Sequence, residues 1–420
     1  MKMLPAAMAG VLVFLGGCSS VAQNIGGGEE EVTLTYARGT DTTPATDAML
    51  AAFEEQNPNI NVEVREMPPD SGAAHNQYVT LMSSGSPEID IFASDVVWPA
   101  EFGQAGYVLP LDRLIERDNV DLDAHFPATI ESGSLNGRQY ALPSYTDAGI
   151  LYYRTDIVEE PPETWDELGT MALDLQGEGG TNFGFVTQAS QYEGLVTTSM
   201  EYISAYGGQV INENQEVVVN SPEAIAGIEK MVEMMQSDYV PNNILNFQEI
   251  ETENAFLEGN TVFARNWPYM LSTSTDPEIS QVPDNVGITA LPSGPEGNAS
   301  SLGGWSTMIN KSSEHIEESW ELVKFLSSEE GQKIGALEGA RAPTIESLYE
   351  DEDVIAANEL FADPVFQETL DNAVARPVTG IYPQVSDIMQ IELSSAAAGT
   401  ITAEEAAANM ERKMKAAFAE

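Results

Sequence analysis

The sequence predicts an α/β protein in which helices cover a parallel or mixed sheet. Three observations carry this. Strand-like and helix-like patterns alternate through the body in a β-α-β-α-β rhythm. The chain has 420 residues, room for two or three domains with large cores. Hydrophobic residues make up 42% and aromatics 8%, a composition that buries a core rather than staying disordered.

The first thirty residues read as an address. Lys2 supplies a short positive region, and the apolar run from Leu4 to Leu15 is too short for a stable membrane span. It ends in Leu15-Gly16-Gly17-Cys18, and Cys18 is the only cysteine. This arrangement resembles a bacterial lipobox, in which the cysteine is acylated and begins the mature chain; cleavage elsewhere, with Cys18 incidental, is the competing reading. Residues 1–17 are therefore assigned to a signal peptide and 18–31 to a lipidated tether, with Gly26-Gly27-Gly28 flexible and Glu29 to Glu31 solvated. One cysteine excludes an intrachain disulfide. No second long apolar run follows, so the expected body is soluble and held by lipid alone.

The body begins with a strand from Val32 to Ala37. A helix from Thr46 to Gln56 follows, with Met49, Leu50 and Phe53 at helical spacing and Asn57-Pro58 as its stop. Next come a strand from Ile60 to Val64, a helix from His75 to Ser83 and a strand from Asp90 to Ala93. Thr164-Trp165-Asp166-Glu167 reads as a capping box. Helices are expected at Pro222 to Met235, Glu317 to Leu326 and Glu404 to Phe418. Trp165 and Trp320 have apolar neighbours at helical spacing and are read as core.

The charge balance excludes whole classes of partner. There are 67 Asp+Glu against 17 Lys+Arg, a net −50. Phosphate backbones need a basic surface, so no nucleic-acid partner is expected, and no anionic membrane patch. The acids are spread along the chain and only seven residues are Lys. Such a surface suits concentrated salt, which screens self-repulsion, so a halophilic source is inferred over an ordinary acidic secreted protein.

Several ordered segments resemble the extracellular sugar-binding subunits of ABC importers, and among them the trehalose/maltose-binding proteins. They are Ala51-Ala52-Phe53-Glu54 to Pro58, Pro87-Glu88-Ile89-Asp90-Ile91-Phe92, Gly137 to Pro143, Tyr152-Tyr153-Arg154, Pro162 to Leu168, Phe256-Leu257-Glu258-Gly259-Asn260 and Gly303-Gly304-Trp305. The resemblance implies a two-lobed periplasmic-binding-protein fold (type II-like), with a ligand cleft between discontinuous lobes joined by a hinge. Crossings are expected near Tyr145 to Gly149, Pro292 to Leu302 and Arg341 to Ser347, zones that carry Gly or Pro. This gives lobe 1 as 32–145 plus 303–341, and lobe 2 as 146–302 plus 342–420. It also implies hinge-closure capture of a sugar, a permease partner in the membrane, a monomer, and a periplasmic or cell-surface location.

Sugar recognition needs aromatic faces against the pyranose ring and carboxylates, amides and Arg on the hydroxyls. Asp95 follows the third strand, where α/β ligands often bind, and is either a sugar acceptor or a helix cap. Trp98, in the same loop, either faces ligand or packs beneath. In the resembling proteins the tryptophan matching Trp267 is a stacking platform, with Arg265, Asn266 and Tyr269 beside it. Trp305 follows Gly303 and Gly304, which let backbone approach a ligand. Tyr145 and Asp147 sit at the first crossing. Arg376 is one of ten Arg and is either a structural ion-pair partner or a hydroxyl donor. Asp41 and Thr42, after the first strand, are further ligand candidates, in a loop that departs from the family's usual Glu-bearing version.

His75, His125 and His315 make no metal spacing, and neither a phosphate loop nor a nucleophile elbow is present. No cofactor and no enzymatic activity are therefore expected. A glycoside hydrolase using Asp95 and Asp147 is the enzymatic alternative; a polyamine or peptide binder is the other.

Overall fold

The computed structural model describes residues 31–41, 43–68, 71–212 and 214–419. The signal segment, Cys18, the tether up to residue 30, and Thr42 lie outside the described residues.

Among the described residues, twelve strands form three sheets. They are β1 (Val32–Gly39), β2 (Ile60–Met67), β3 (Ile91–Asp95), β4 (Ser134–Leu135), β5 (Arg138–Gln139), β6 (Leu142–Ala148), β7 (Ile150–Arg154), β8 (Phe183–Val186), β9 (Thr261–Asn266), β10 (Val286–Thr289), β11 (Ser300–Ile309) and β12 (Ala373–Val374). The first sheet runs β2-β1-β3-β11-β12, and β6 also pairs with β11. β1 is parallel to β2 and β3, whereas β11 is antiparallel to β3 and β6. The second sheet runs β10-β7-β9-β8, and β4 pairs with β5 alone.

The period-2 pattern of the strands builds a core on each face of the first sheet. Leu34, Tyr36, Ile91 and Ala93 point to one side, where they pack with Phe53 and Trp320. Ala37 and Phe92 point to the other, where Tyr78, Trp98 and Phe102 lie. A separate core surrounds the second sheet and includes Trp165, Phe185, Phe263 and the closing helices. The helix Tyr382–Ala397 belongs to both regions. Its first residue, Tyr382, packs in the first lobe's core, while Val385, Met389 and Leu393 pack in the second.

Local signals have visible partners. The Thr164 hydroxyl caps the helix Trp165–Leu175 by accepting the Glu167 amide at 3.2 Å. The Glu167 carboxylate accepts from the Glu163 amide, one residue before the cap, at 2.9 Å. Ser221 caps the helix Pro222–Met235 in the same way. The helix expected from His75 starts at Ser71, because Ser and Ala precede the first apolar residue and leave no periodic signal.

β6 stays in the first sheet as far as Ala148, and β7 starts the second at Ile150. Gly149 alone separates them. β11 enters the first sheet from Ser300, after β10 has left the second at Thr289. A third passage lies alongside, where the Thr146 amide donates to Ala342 O at 2.9 Å.

Packing in the second lobe is tight enough to test. A Cβ on Gly227 would lie 2.7 Å from Ile203 Cα and 2.7 Å from Tyr202 O, both backbone atoms of the helix Glu193–Ala205. Gly227→Ala is expected to destabilise the protein by about 1–3 kcal/mol through overpacking. Urea unfolding followed by far-UV dichroism checks this; an unchanged midpoint would show that the two helices can separate freely.

Candidate functional site

The register of β11 assembles one wall of the cleft. Trp305 lies opposite Asp95 on β3 and opposite Tyr145 on β6, and Gly303 lies opposite Asp147. Directly paired residues share a face, as do residues two apart along a strand. Asp95, Trp305, Tyr145 and Asp147 therefore project to one side of the first sheet. A bulge between Trp305 and Ser306 ends this row.

The other wall comes from the end of β9. Asn266 closes that strand, and Trp267-Pro268 turns away from it. The Tyr152 hydroxyl donates to Trp267 O at 2.9 Å and to Pro268 O at 3.2 Å. The Asn266 Oδ1 accepts the Trp267 amide at 2.8 Å, while its Nδ2 donates to Glu249 O and Thr252 Oγ1. The turn is thus held by buried hydrogen bonds and presents a half-buried indole. The indole Nε1 donates to Glu249 Oε1 at 3.5 Å. A Cβ on Gly303 would lie 2.8 Å from Trp267 Cζ3, so glycine there is what lets the two walls meet.

Asp147 sits where they meet. Its carboxylate has no hydrogen-bond partner among the described residues, and the residue is half-buried. Burial pushes its pKa up to about 7, against the pull of Arg341 and Arg265. A half-buried acceptor left without donors is chemically able to take a hydroxyl.

Arg376 ties the two walls together. Its Nη2 donates to Asp95 Oδ1 at 2.7 Å and its Nη1 to Glu193 Oε1 at 2.6 Å. Glu193 also accepts from the Tyr382 hydroxyl and, at 2.5 Å, from the Ser386 hydroxyl. The Arg376 Nε is buried with no partner, a free donor beside the Asp95 row.

Other candidates are committed elsewhere. Asp41, read as a ligand acceptor, takes Arg341 Nη2 at 2.5 Å and the amides of Thr43 and Thr46. Burial alone would raise its pKa, but Arg341 and the threonine hydroxyls hold it down at about 2. Arg341 also lies 5.1 Å above the Tyr145 ring, covering one aromatic face. Trp98 is 5% exposed and packs beneath the loop, edge-on to Trp305 at 5.8 Å. It supports Trp305 from the core instead of facing the cleft. Asn266 is fully buried and spends its amide on the turn. Tyr269 is half-buried, with its hydroxyl 3.4 Å from Glu253; burial and that carboxylate raise its pKa. Gly304 has φ 112°, a region in which a Cβ would strike Tyr145 O. Among the described residues no cluster of His, Cys, Asp or Glu could hold a metal ion, and no helix is long and apolar enough to cross a membrane.

The pattern that describes bacterial extracellular solute-binding proteins matches residues 37–333. The chain belongs to that family. A probable ABC transporter-binding protein of Deinococcus radiodurans is 35% identical over 379 residues, covering 85% of this chain and 86% of that protein. The solved structure of maltose-bound T. maritima MalE3 superposes with a TM-score of 0.84 at 35% identity, covering 91% of this chain and 99% of that one. The GacH receptor of Streptomyces glaucescens shares the fold at 23% identity, with a TM-score of 0.81 and 92% and 98% coverage. The solute-binding protein is therefore of the two-lobed, maltose-binding-protein-like class, and its family and structural relatives are transport proteins rather than enzymes.

Four contributors to the site carried no local signal in the solute-binding protein's sequence: Glu193, Glu249, Arg341 and Tyr152. Each acts through a partner distant in sequence. Two of the four are acids in a chain with 67 of them, so residue type alone could not single them out.

The enclosure of Asp147 makes a signed prediction. Its folded pKa, near 7, lies above the ordinary value of 3.8. Its stabilising contribution is full below about pH 4 and is lost as pH rises through 7. The stability of wild type minus that of Asp147→Asn is expected to fall across this window, measured by denaturant unfolding at each pH. A difference that is flat from pH 4 to 7 would mean the carboxylate is well solvated.

Proposed function

We propose that this protein captures a neutral sugar, of disaccharide size such as trehalose or maltose, and delivers it to an ABC transporter permease. The observation that carries the reading is the meeting of the Trp267 ring with the unpartnered Asp147 carboxylate at Gly303. An aromatic face suits the apolar face of a pyranose, and a lone acceptor suits its hydroxyl. Trp305, half-buried beside Asp95 and Tyr145, adds a second aromatic ring. The T. maritima relative, whose structure holds maltose, supports the same ligand class.

Capture works by differential affinity. A ligand that touches both walls stabilises the state in which they are close and shifts the population toward it. We place the lobe boundaries at 145/146, 302/303 and 341/342, so that two of them fall within β6 and β11, the strands that pair beside the crossing. We further propose that the mature chain is exported, anchored by lipid at Cys18 on the periplasmic or cell-surface side, and monomeric. Its Lys-poor acidic surface suits a halophilic setting, and uncharged sugar contacts lose little to salt.

Calorimetric titration of the chain from Glu29 in molar salt tests this. Trehalose, maltose, sucrose, glucose and maltotriose form the panel, with spermidine as control. Micromolar or tighter binding of one sugar, without turnover, is expected. Trp267→Ala should weaken it by at least about tenfold, roughly 1.4 kcal/mol, with the fold retained. Silence across the sugars, or spermidine binding, would overturn the ligand class.

A further inference from the structure

Beneath Trp267 lies a second feature that ligand contact does not explain. Arg265 and Glu201 are each 1% exposed. The guanidinium donates through Nε to Glu201 Oε2 at 3.0 Å, and through Nη2 to Glu201 Oε1. Its Nη1 donates to Gln188 Oε1 at 3.0 Å. Its carbon lies 4.2 Å from the centroid of the Trp267 ring, so it covers one face of the indole.

The pair also touches both strand passages between the sheets. Gly149 is the single residue between β6 and β7, and a Cβ there would fall on Arg265 Nη2 and Glu201 Oε1. Glu201 Oε1 accepts the amide of Ser301, the second residue of β11, at 3.4 Å. Ser300 Oγ in turn donates to Gly149 O at 2.8 Å. One ion pair therefore contacts the aromatic platform, the β6–β7 passage and the entry of β11.

We propose that the buried Arg265–Glu201 pair positions the Trp267 ring and couples it to the strands that pass between the lobes. A ligand seated on the ring then reports its presence to the hinge through a rigid fork. The physical reason is that a buried ion pair contributes little net stability, since desolvation offsets attraction, whereas its planar, two-pronged geometry fixes orientation. Lysine keeps the charge but not the fork. The inference rests on the sugar reading for its ligand, but not for its geometry.

A double-mutant cycle tests it. Maltose affinity is measured by calorimetry for wild type, Arg265→Lys, Trp267→Ala and the double variant, with thermal midpoints recorded for each. Arg265→Lys is expected to weaken binding about tenfold in wild type and less than about twofold in the Trp267→Ala background, because coupled residues are not additive. Equal losses in both backgrounds would mean that the pair only supports the fold, and would overturn the proposal. Where Arg265→Lys fails to fold, Glu201→Gln, which keeps shape and an acceptor oxygen, takes its place in the cycle.

A ligand-free readout separates this from the sugar reading. The emission of Trp267 is obtained by subtracting the Trp267→Phe spectrum in each background. Arg265→Lys should make that emission more quenchable by acrylamide. An unchanged Trp267 contribution would overturn the positioning role. Wild-type protein that binds none of the sugars would overturn the sugar reading alone, and the emission result would still decide the pair.

Discussion

Strand β11 is the constraint on which the rest depends. Over ten residues it pairs in turn with β12, β6 and β3. Its register fixes which side chains share the cleft face: Asp95 and Tyr145 flank Trp305, and Asp147 faces Gly303. A one-residue slip of β11 would send Trp305 to the face opposite Asp95 and Tyr145. Backbone hydrogen bonds therefore set the site before any side-chain contact is made. The glycines at 303 and 304 are part of the same requirement, because only they leave room for Trp267 on one side and for β6 on the other.

Charge organises the second layer. With 17 basic residues against 67 acids, most carboxylates must be solvated. Three arginines, buried or half-buried, sit at junctions. Arg376 joins Asp95 to Glu193, Arg341 joins Asp41 to Thr46, and Arg265 joins Glu201 to Gln188. Each connects segments far apart in sequence. Buried pairs are screened much less by salt than surface pairs, so these junctions persist where the acidic surface is best tolerated. Against this network Asp147 stands out as the carboxylate at the meeting of the walls that no arginine bonds.

The fold was legible because its signals are local. The spacing of Met49, Leu50 and Phe53, the Thr164 cap, and the apolar runs of the strands each announce an element within a dozen residues. Trp267 was singled out through the resemblance, and the structure places it just after the end of β9, before Pro268. Asp41 and Arg376 show where local reading stops. Asp41 follows a strand just as Asp95 does, and only the arrival of Arg341, 300 residues later, commits it. For Arg376 the sequence left an ion pair and a ligand donor both open, and the structure shows a paired fork with one free Nε. The depth of Trp98 was likewise decided by packing with His75, Tyr78 and Phe102, which loop position does not encode.

The central claim is that the ligand sits where the two walls meet, on Trp267 and against Asp147. The most direct measurement is a crystal structure of the protein grown with maltose or trehalose. The account predicts a sugar ring stacked on the open face of Trp267, with a hydroxyl donating to Asp147 and the Gly303 backbone within van der Waals distance. A sugar bound elsewhere, or one that leaves Asp147 unpaired, would contradict it.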